Sequence, residues 1–331
     1  MHEAVIQLVS SNYNIGDICT VSRVASGIGS ISYYIRSSTG EFILKDHELN
    51  GMNHPENEAR ILDTLRDANI PVSEICPTKQ GSYVLEDDSK MYHLQKYVEG
   101  TVYSRNAAPQ WLLDNSAKML GQIHAAMKML VPLPTGMSQG FFDYMTPERA
   151  ASGYEGTLEL ALSKGDNEVV EAIQAKLRML KAFTGFSFHV SKMTCINTHG
   201  DYKIQQIICG ENKINAVIDF TSACVHPICW EVIRAYLSAD PACADGKLNI
   251  DHFKRFISSF LENGNLNAYD LKIMPYVYYY QNLVSDYFKQ YYTSDHQNKE
   301  SLLEDALLSM KQCLWFEENI SKLEDQLIAG F

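Results

Sequence analysis

Three short runs of apolar, β-branched and aromatic residues interspersed with polar ones, 21–25, 31–36 and 41–45, are separated by Ser26-Gly27-Ile28-Gly29-Ser30 and by Ser37-Ser38-Thr39-Gly40. Runs of this length with glycine-bearing breaks predict three antiparallel strands joined by tight turns. The pattern then changes. Asn53, Pro55 and Glu56 supply an N-cap side chain, a first-turn proline and a capping-box acid, so a helix is expected from there to about residue 69. Glu58, Leu62 and Leu65 share one face of it, which aims a carboxylate along the apolar stripe towards the sheet. A carboxylate so placed needs a cationic partner. A second hairpin is expected over 81–86 and 91–98, and Glu99-Gly100 ends the pattern.

Beyond that break helical periodicity dominates, over 111–130, 158–183, 230–239, 250–263, 268–292 and 299–328, and strands return only within 195–220. The pattern predicts an α+β chain in two lobes: a small antiparallel sheet with its helix over 1–98, and a larger, mostly helical lobe over 99–331. Length agrees, because 331 residues exceed what one hydrophobic core usually serves. With 46% hydrophobic and 21% charged residues there is no compositional case for disorder.

Charge narrows the partners. A net charge of −12 without a basic stripe disfavours nucleic acid and anionic membranes, and it suits a cationic small molecule. The N-terminal stretch lacks an export signal, and no apolar run reaches the roughly 20 residues that span a bilayer, so the expectation is a cytoplasmic protein whose eight cysteines are reduced. Cys209, Cys224 and Cys229, with His226 nearby, lack the paired spacing of a zinc site.

The chemistry-bearing pattern is His199-Gly200-Asp201, then Gln206, then a short hairpin ending in Ile218-Asp219-Phe220. Alone, Asp201 reads as a turn residue and Asp219 as the end of a strand. Together they bring two carboxylates and an amide to the ends of adjacent strands, an oxygen-rich set suited to magnesium, and one carboxylate can instead take a hydroxyl proton. Lys45 closes the third strand where Glu58 needs a cation, with Glu56 the alternative partner if the helix is turned differently. Ser26, Gly27, Gly29 and Ser30 form a turn whose backbone amides can approach phosphates.

In order and spacing these residues resemble the aminoglycoside phosphotransferase and choline kinase group of protein-kinase-like enzymes, which includes type II homoserine kinases, over most of residues 20–240. Leu120-Gly121-Gln122-Ile123-His124 and the stretch His226-Pro227 to Trp230-Glu231-Val232 add to the likeness. The resemblance implies a two-lobed kinase fold and transfer of the terminal phosphate of ATP or GTP to a hydroxyl of an aminoglycoside, an amino alcohol, homoserine or a sugar. It implies that Asp201 orients or deprotonates that hydroxyl and that Asp219 and Gln206 hold Mg2+. It further implies that Lys45, paired with Glu58, contacts the α and β phosphates, and that the main chain of Gln95, Lys96 and Tyr97 receives the nucleobase. The family has Asn where this chain has Gln206. That longer amide keeps a second class open, a catalytically weak kinase-like protein that binds nucleotide or acts as a scaffold. His124 and His199 are expected to brace the structure. The acceptor pocket is expected among the C-terminal helices, with Tyr276, Tyr280, Leu283, Tyr287 and Tyr291 on one stripe and Glu231, Asp240 and Asp286 as sources of negative charge. The oligomeric state stays open.

Overall fold

The computed structural model describes residues 2–24, 30–47, 55–87, 90–294 and 299–331. The chain opens with helix α1 (His2–Asn12), followed by the three expected strands β1 (Ile18–Val24), β2 (Ser30–Ser37) and β3 (Gly40–His47). Helix α2 (Pro55–Asp67) separates them from β4 (Ile75–Cys76), β5 (Leu85–Asp87) and β6 (Lys90–Lys96). The sheet is antiparallel in the order β1-β2-β3-β6-β4, with β5 also on β6. In it Lys45 of β3 faces His93 of β6 across the ladder.

After β7 (Thr101–Val102) the chain is largely helical: α3 (Gln110–Met127), α4 (Gln139–Tyr144), α5 (Pro147–Lys164) and α6 (Asn167–Leu180). Four strands interrupt, β8 (Cys195–Thr198), β9 (Ile207–Gly210), β10 (Lys213–Val217) and β11 (Cys224–Pro227), before α7 (Ile228–Ala239), α8 (Ile250–Leu261), α9 (Ala268–Val284), α10 (Tyr287–Thr293) and α11 (Lys299–Gly330). β10 and β9 form a hairpin that β7 extends, and β11 pairs with β8.

Several expectations change. Helix α1 and strand β11 are additional elements. The expected helix over 158–183 starts earlier, at Pro147 behind the Thr146 cap, and ends at Gly165, whose left-handed φ of 67° stops it before α6 begins. The expected helix over 268–292 breaks at Ser285-Asp286, where Asp286 caps α10. Leu62 and Leu65 join the large core built mainly by the C-terminal helices, which Ile75 of β4 also enters, while α1, β1–β3 and β6 share a separate core with Val9, Ile35, Leu44 and Leu94. Helix α2, together with β4, thus ties the sheet side to the helical side. All eight cysteines are free. No helix among the described residues is long and apolar enough to cross a membrane.

Candidate active site

Strand pairing assembles the site. Cys224 lies opposite Thr198 in the β8–β11 pair, so the turns that follow β8 and precede β11 face each other. Gly200 sits in the first turn at φ 79°, and a Cβ there would fall 1.9 Å from the Ser222 carbonyl oxygen, so only glycine fits. Gly200→Ala is expected to cost about 3 kcal/mol or more from backbone strain and overlap, read by urea denaturation; an unchanged midpoint would show that the turn can open. The β9–β10 hairpin sets Ile207 opposite Val217, and Ile218 N–H donates to the Gln206 carbonyl at 3.0 Å, so the amide stands beside Asp219.

Asp219 adopts the left-handed conformation, φ 71° and ψ 57°, which turns its carboxylate out of strand direction towards β3. There Lys45 Nζ lies 3.1 Å from Asp219 Oδ1 and 3.8 Å from Glu58 Oε1. Glu58, not the exposed Glu56, is therefore the residue of α2 that faces Lys45. Glu58 Oε1 also accepts from the Phe220 N–H at 3.0 Å, and its other oxygen lies 3.2 Å from His93 Nε2. Both His93 and its neighbour His47 are pushed well below ordinary histidine values by burial, His47 to about 3, so they are neutral and leave the Glu58 charge to Lys45. Burial alone would lower the Lys45 ammonium, but Asp219 and Glu58 outweigh it and hold it above the usual lysine value.

Asp201 lies at the other end of the cluster. Gln206 Nε2 bridges the carboxylates, donating at 3.1 Å to Asp201 Oδ2 and at 3.1 Å to Asp219 Oδ2. Asp201 is also gripped by Lys203 at 2.9 Å and by Arg234 of α7 at 2.5 Å. Burial would raise its carboxyl, but Arg234 and Lys203 outweigh that and bring it down to about 2. A carboxyl lowered on folding adds stability above the range of an unfolded aspartate, about pH 4. That contribution is lost as pH falls through about 2. The stability gap between wild type and Asp201→Asn is therefore expected to shrink from about pH 4 downwards; a gap constant with pH would contradict the charge pairing.

The histidines brace, as expected. His199 Nε2 donates to the Ile218 carbonyl at 3.0 Å and its Nδ1 accepts from the Asp201 N–H, which ties the two aspartate turns together. His124 of α3 lies 2.6 Å from Glu231, whose other oxygen accepts from the Gly200 N–H at 2.6 Å. Glu231 is thus buried behind the turn and is not a pocket charge. Asp240 bonds Tyr236 and His252, and Asp286 caps α10 and accepts from Thr157, so neither supplies the expected negative wall. Tyr276 and Tyr280 bond Glu324 and the Met145 carbonyl, Leu283 is core, and Tyr291 packs at a tilt against Tyr292, whereas Tyr287, now on α10, and Tyr278 line a cavity of about 240 Å³. Arg105, Lys203, Gln205 and Arg234 line the same cavity, beside Asp201.

A family comparison matches residues 20–256 to the phosphotransferase enzyme family. The chain belongs to that family. Solved structures share the fold across the whole length: the spectinomycin phosphotransferase bound to ADP and spectinomycin, 17% identical over 100% of this chain and 98% of its own, TM-score 0.66; the microcompartment-associated aminopropanol kinase, 14% identical over 98% and 99%, TM-score 0.65; and an aminoglycoside phosphotransferase from Alicyclobacillus acidocaldarius, 14% identical over 96% and 96%, TM-score 0.59. No curated protein matches the chain.

In this phosphotransferase Ser26, Gly27 and Gly29 lie outside the described residues, and Ser30 opens β2. Along the stretch expected to meet the nucleobase, the Lys96 and Tyr97 N–H groups already donate to Glu74 and Glu41 carbonyls, and the Gln95 side chain is turned inward onto His93 and Ser73. Those two N–H groups are therefore not free for a base edge. The donor pair Asp219 and Gln206, with the Asp201 carboxylate beside it, is all oxygen once the Gln206 amide turns over, which fits a hard cation such as magnesium: a carbonyl oxygen between two carboxylates is stable only with a cation among them. A separate set, His47, Glu58 and His93, has its ligand atoms within 4.8 Å of one another; Glu58 Oε1 is engaged by Lys45 and the Phe220 amide, and its Oε2 lies beside His93.

Proposed function

We propose that the chain moves the terminal phosphoryl group of ATP or GTP onto a hydroxyl of a small molecule. The observation that carries this reading is the unbroken chain of charge and hydrogen bonds from Glu58 and Lys45 through Asp219 and Gln206 to Asp201, which joins the sheet to the cavity. Lys45, kept charged, would hold donor phosphates; Glu58 keeps its ammonium in place. Asp219 with the turned Gln206 amide would hold Mg2+, which when bound neutralises phosphate charge. Asp201 stands where a hydroxyl entering from the cavity arrives. The acceptor oxygen forms the new bond to the γ phosphorus, the bond from that phosphorus to the bridging β oxygen breaks, the nucleoside diphosphate leaves, and the hydroxyl proton passes to Asp201 and then to water. Lys203 and Arg234 keep Asp201 ionised and aimed. The compartment this reading implies is the cytoplasm, where the donor is abundant.

One observation favours the second reading, a nucleotide-binding protein with weak turnover: Gln206 bridges the carboxylates with its nitrogen, the orientation that excludes a cation. Melting temperature with and without magnesium and ATP or GTP separates the outcomes. An upward shift that needs both magnesium and nucleotide is expected; a shift with nucleotide that magnesium does not change supports the second reading, and no shift with either nucleotide sinks both.

A further inference from the structure

The cavity beside Asp201 has a local charge opposite to that of the chain. Among the described residues its charged lining residues are Arg105, Lys203 and Arg234 against Asp305. Counting Asp201, to which Lys203 and Arg234 are bonded, three cations face two carboxylates in a chain whose net charge is −12. Arg105 is neutralised by Asp305 at 2.6 Å. Arg234 is not fully used: its Nη2 holds Asp201, while its Nη1 is buried with no hydrogen-bond partner among the described residues. A buried guanidinium N–H left without an acceptor carries an energetic penalty that a bound anion removes. Gln205, on the same lining, has a buried Oε1 that is also without a partner among the described residues.

Resting on the phosphotransferase reading, we propose that the acceptor is a hydroxyl compound bearing an anionic group, a carboxylate or a phosphate, which Arg234 Nη1 and Arg105 receive while its reacting hydroxyl lies against Asp201. The overall acidity of the protein favours cations at long range, but within the cavity the nearest charges decide, because the field of distant surface groups is screened over about 10 Å. The planar Arg234 fork can hold Asp201 on one nitrogen and the ligand anion on the other, which fixes the distance between the anion and the reacting hydroxyl. A cationic acceptor would meet two guanidinium groups and an ammonium whose two carboxylate partners, Asp201 and Asp305, are already bonded to them.

The test uses two matched series: glycerol, glycerate, glycerol 3-phosphate and 3-amino-1,2-propanediol; and glucose, gluconate, glucose 6-phosphate and glucosamine. Nucleoside diphosphate release is followed with each compound. In at least one series the carboxylate or phosphate member is expected to exceed both the neutral and the amine member by about tenfold or more in kcat/KM, the worth of one charged hydrogen bond. The carboxylate and phosphate members tell the two anions apart. Arg105→Gln, away from Asp201, is expected to raise KM for the preferred anion about tenfold with kcat and nucleotide KM little changed, and Asp305→Asn to lower it, a reversal that loss of packing does not produce. Binding is read independently of turnover by fluorescence of Trp230, whose ring lies 5.2 Å from the Arg234 guanidinium, with Trp230→Phe as the blank. Preference for an amine or neutral member, equal effects of Arg105→Gln on all members, or no saturable signal with any anion overturns the proposal. Magnesium-nucleotide stabilisation measured alongside keeps that failure distinct from failure of the phosphotransferase reading itself.

Discussion

Asp201→Asn is expected to lower acceptor-dependent turnover by about 10²–10⁴-fold while leaving magnesium-nucleotide stabilisation in place. The two side chains have nearly the same shape, so the turn held by His199 and Glu231 is kept. What is lost is the negative charge between Arg234 and Lys203 and the only oxygen in that position able to take a proton. An asparagine still accepts from Gln206, so the link to Asp219 persists. Turnover is measured by nucleoside diphosphate release at saturating acceptor, and nucleotide binding by melting temperature. A variant that keeps full turnover would move the proton to water or to another group and remove Asp201 from the chemistry.

The second large effect is expected at the other carboxylate. Asp219→Asn should abolish most of the magnesium-dependent part of the nucleotide stabilisation and cost about 10²–10³-fold in turnover, the scale of losing one group that stabilises transition-state charge. Asparagine tolerates the left-handed backbone that Asp219 occupies, and the Phe220 amide stays on Glu58, so the fold is expected to survive. Lys45 would keep Glu58 at 3.8 Å but lose its closer partner at 3.1 Å. Melting curves with nucleotide alone and with magnesium plus nucleotide separate loss of the metal contribution from loss of nucleotide binding. An Asp219→Asn protein whose magnesium response matches wild type would remove Asp219 from the metal set.

Much of this arrangement was legible in the sequence, for reasons specific to the residues. The three strands before α2 show because glycine-bearing turns separate short apolar runs; only β2 alternates in burial, with Tyr33, Ile35 and Ser37 buried between Tyr34 and Arg36, whereas β1 has no buried residue and β3 is buried on both faces from Leu44 to His47. Asp201, Gln206 and Asp219 show because a hairpin of fixed length can bring residues so spaced together. The breaks inside the long helical stretches do not show, because apolar periodicity runs on through Gly165 and through Ser285-Asp286, and only the local backbone stops the helix. Strand β11 contains Pro227 and reads as a turn; it pairs with β8 because proline sits at its last position. Helix α1 has only Val5 and Val9 buried, too few to make a stripe.

Of the site residues that sequence reasoning missed, Arg105, Lys203, Gln205 and Arg234, the last is the most informative. It lies in an apolar helix and looks like its single outward charge, yet the same helix contains the fully buried Glu231. A helix buried around most of its circumference has no outward face, so each of its charges must have a partner, and the structure supplies Asp201 for Arg234 and the Gly200 amide with His124 for Glu231. Lys203 was equally visible two residues after Asp201. The sign of the cavity was not, since it depends on which of the many acidic residues are turned away: Glu231, Asp240 and Asp286 each serve a local hydrogen bond.

The most direct test of the central claim is release of ADP or GDP by the wild-type chain with magnesium, ATP or GTP, and a panel of amino alcohols, aminoglycosides, sugars and hydroxy acids, with Asp201→Asn as the control. The account predicts release that rises with one class of hydroxyl compound, yields that compound phosphorylated on oxygen, and falls by about 10²-fold or more in the variant. Acceptor-stimulated release that survives unchanged in Asp201→Asn would contradict it.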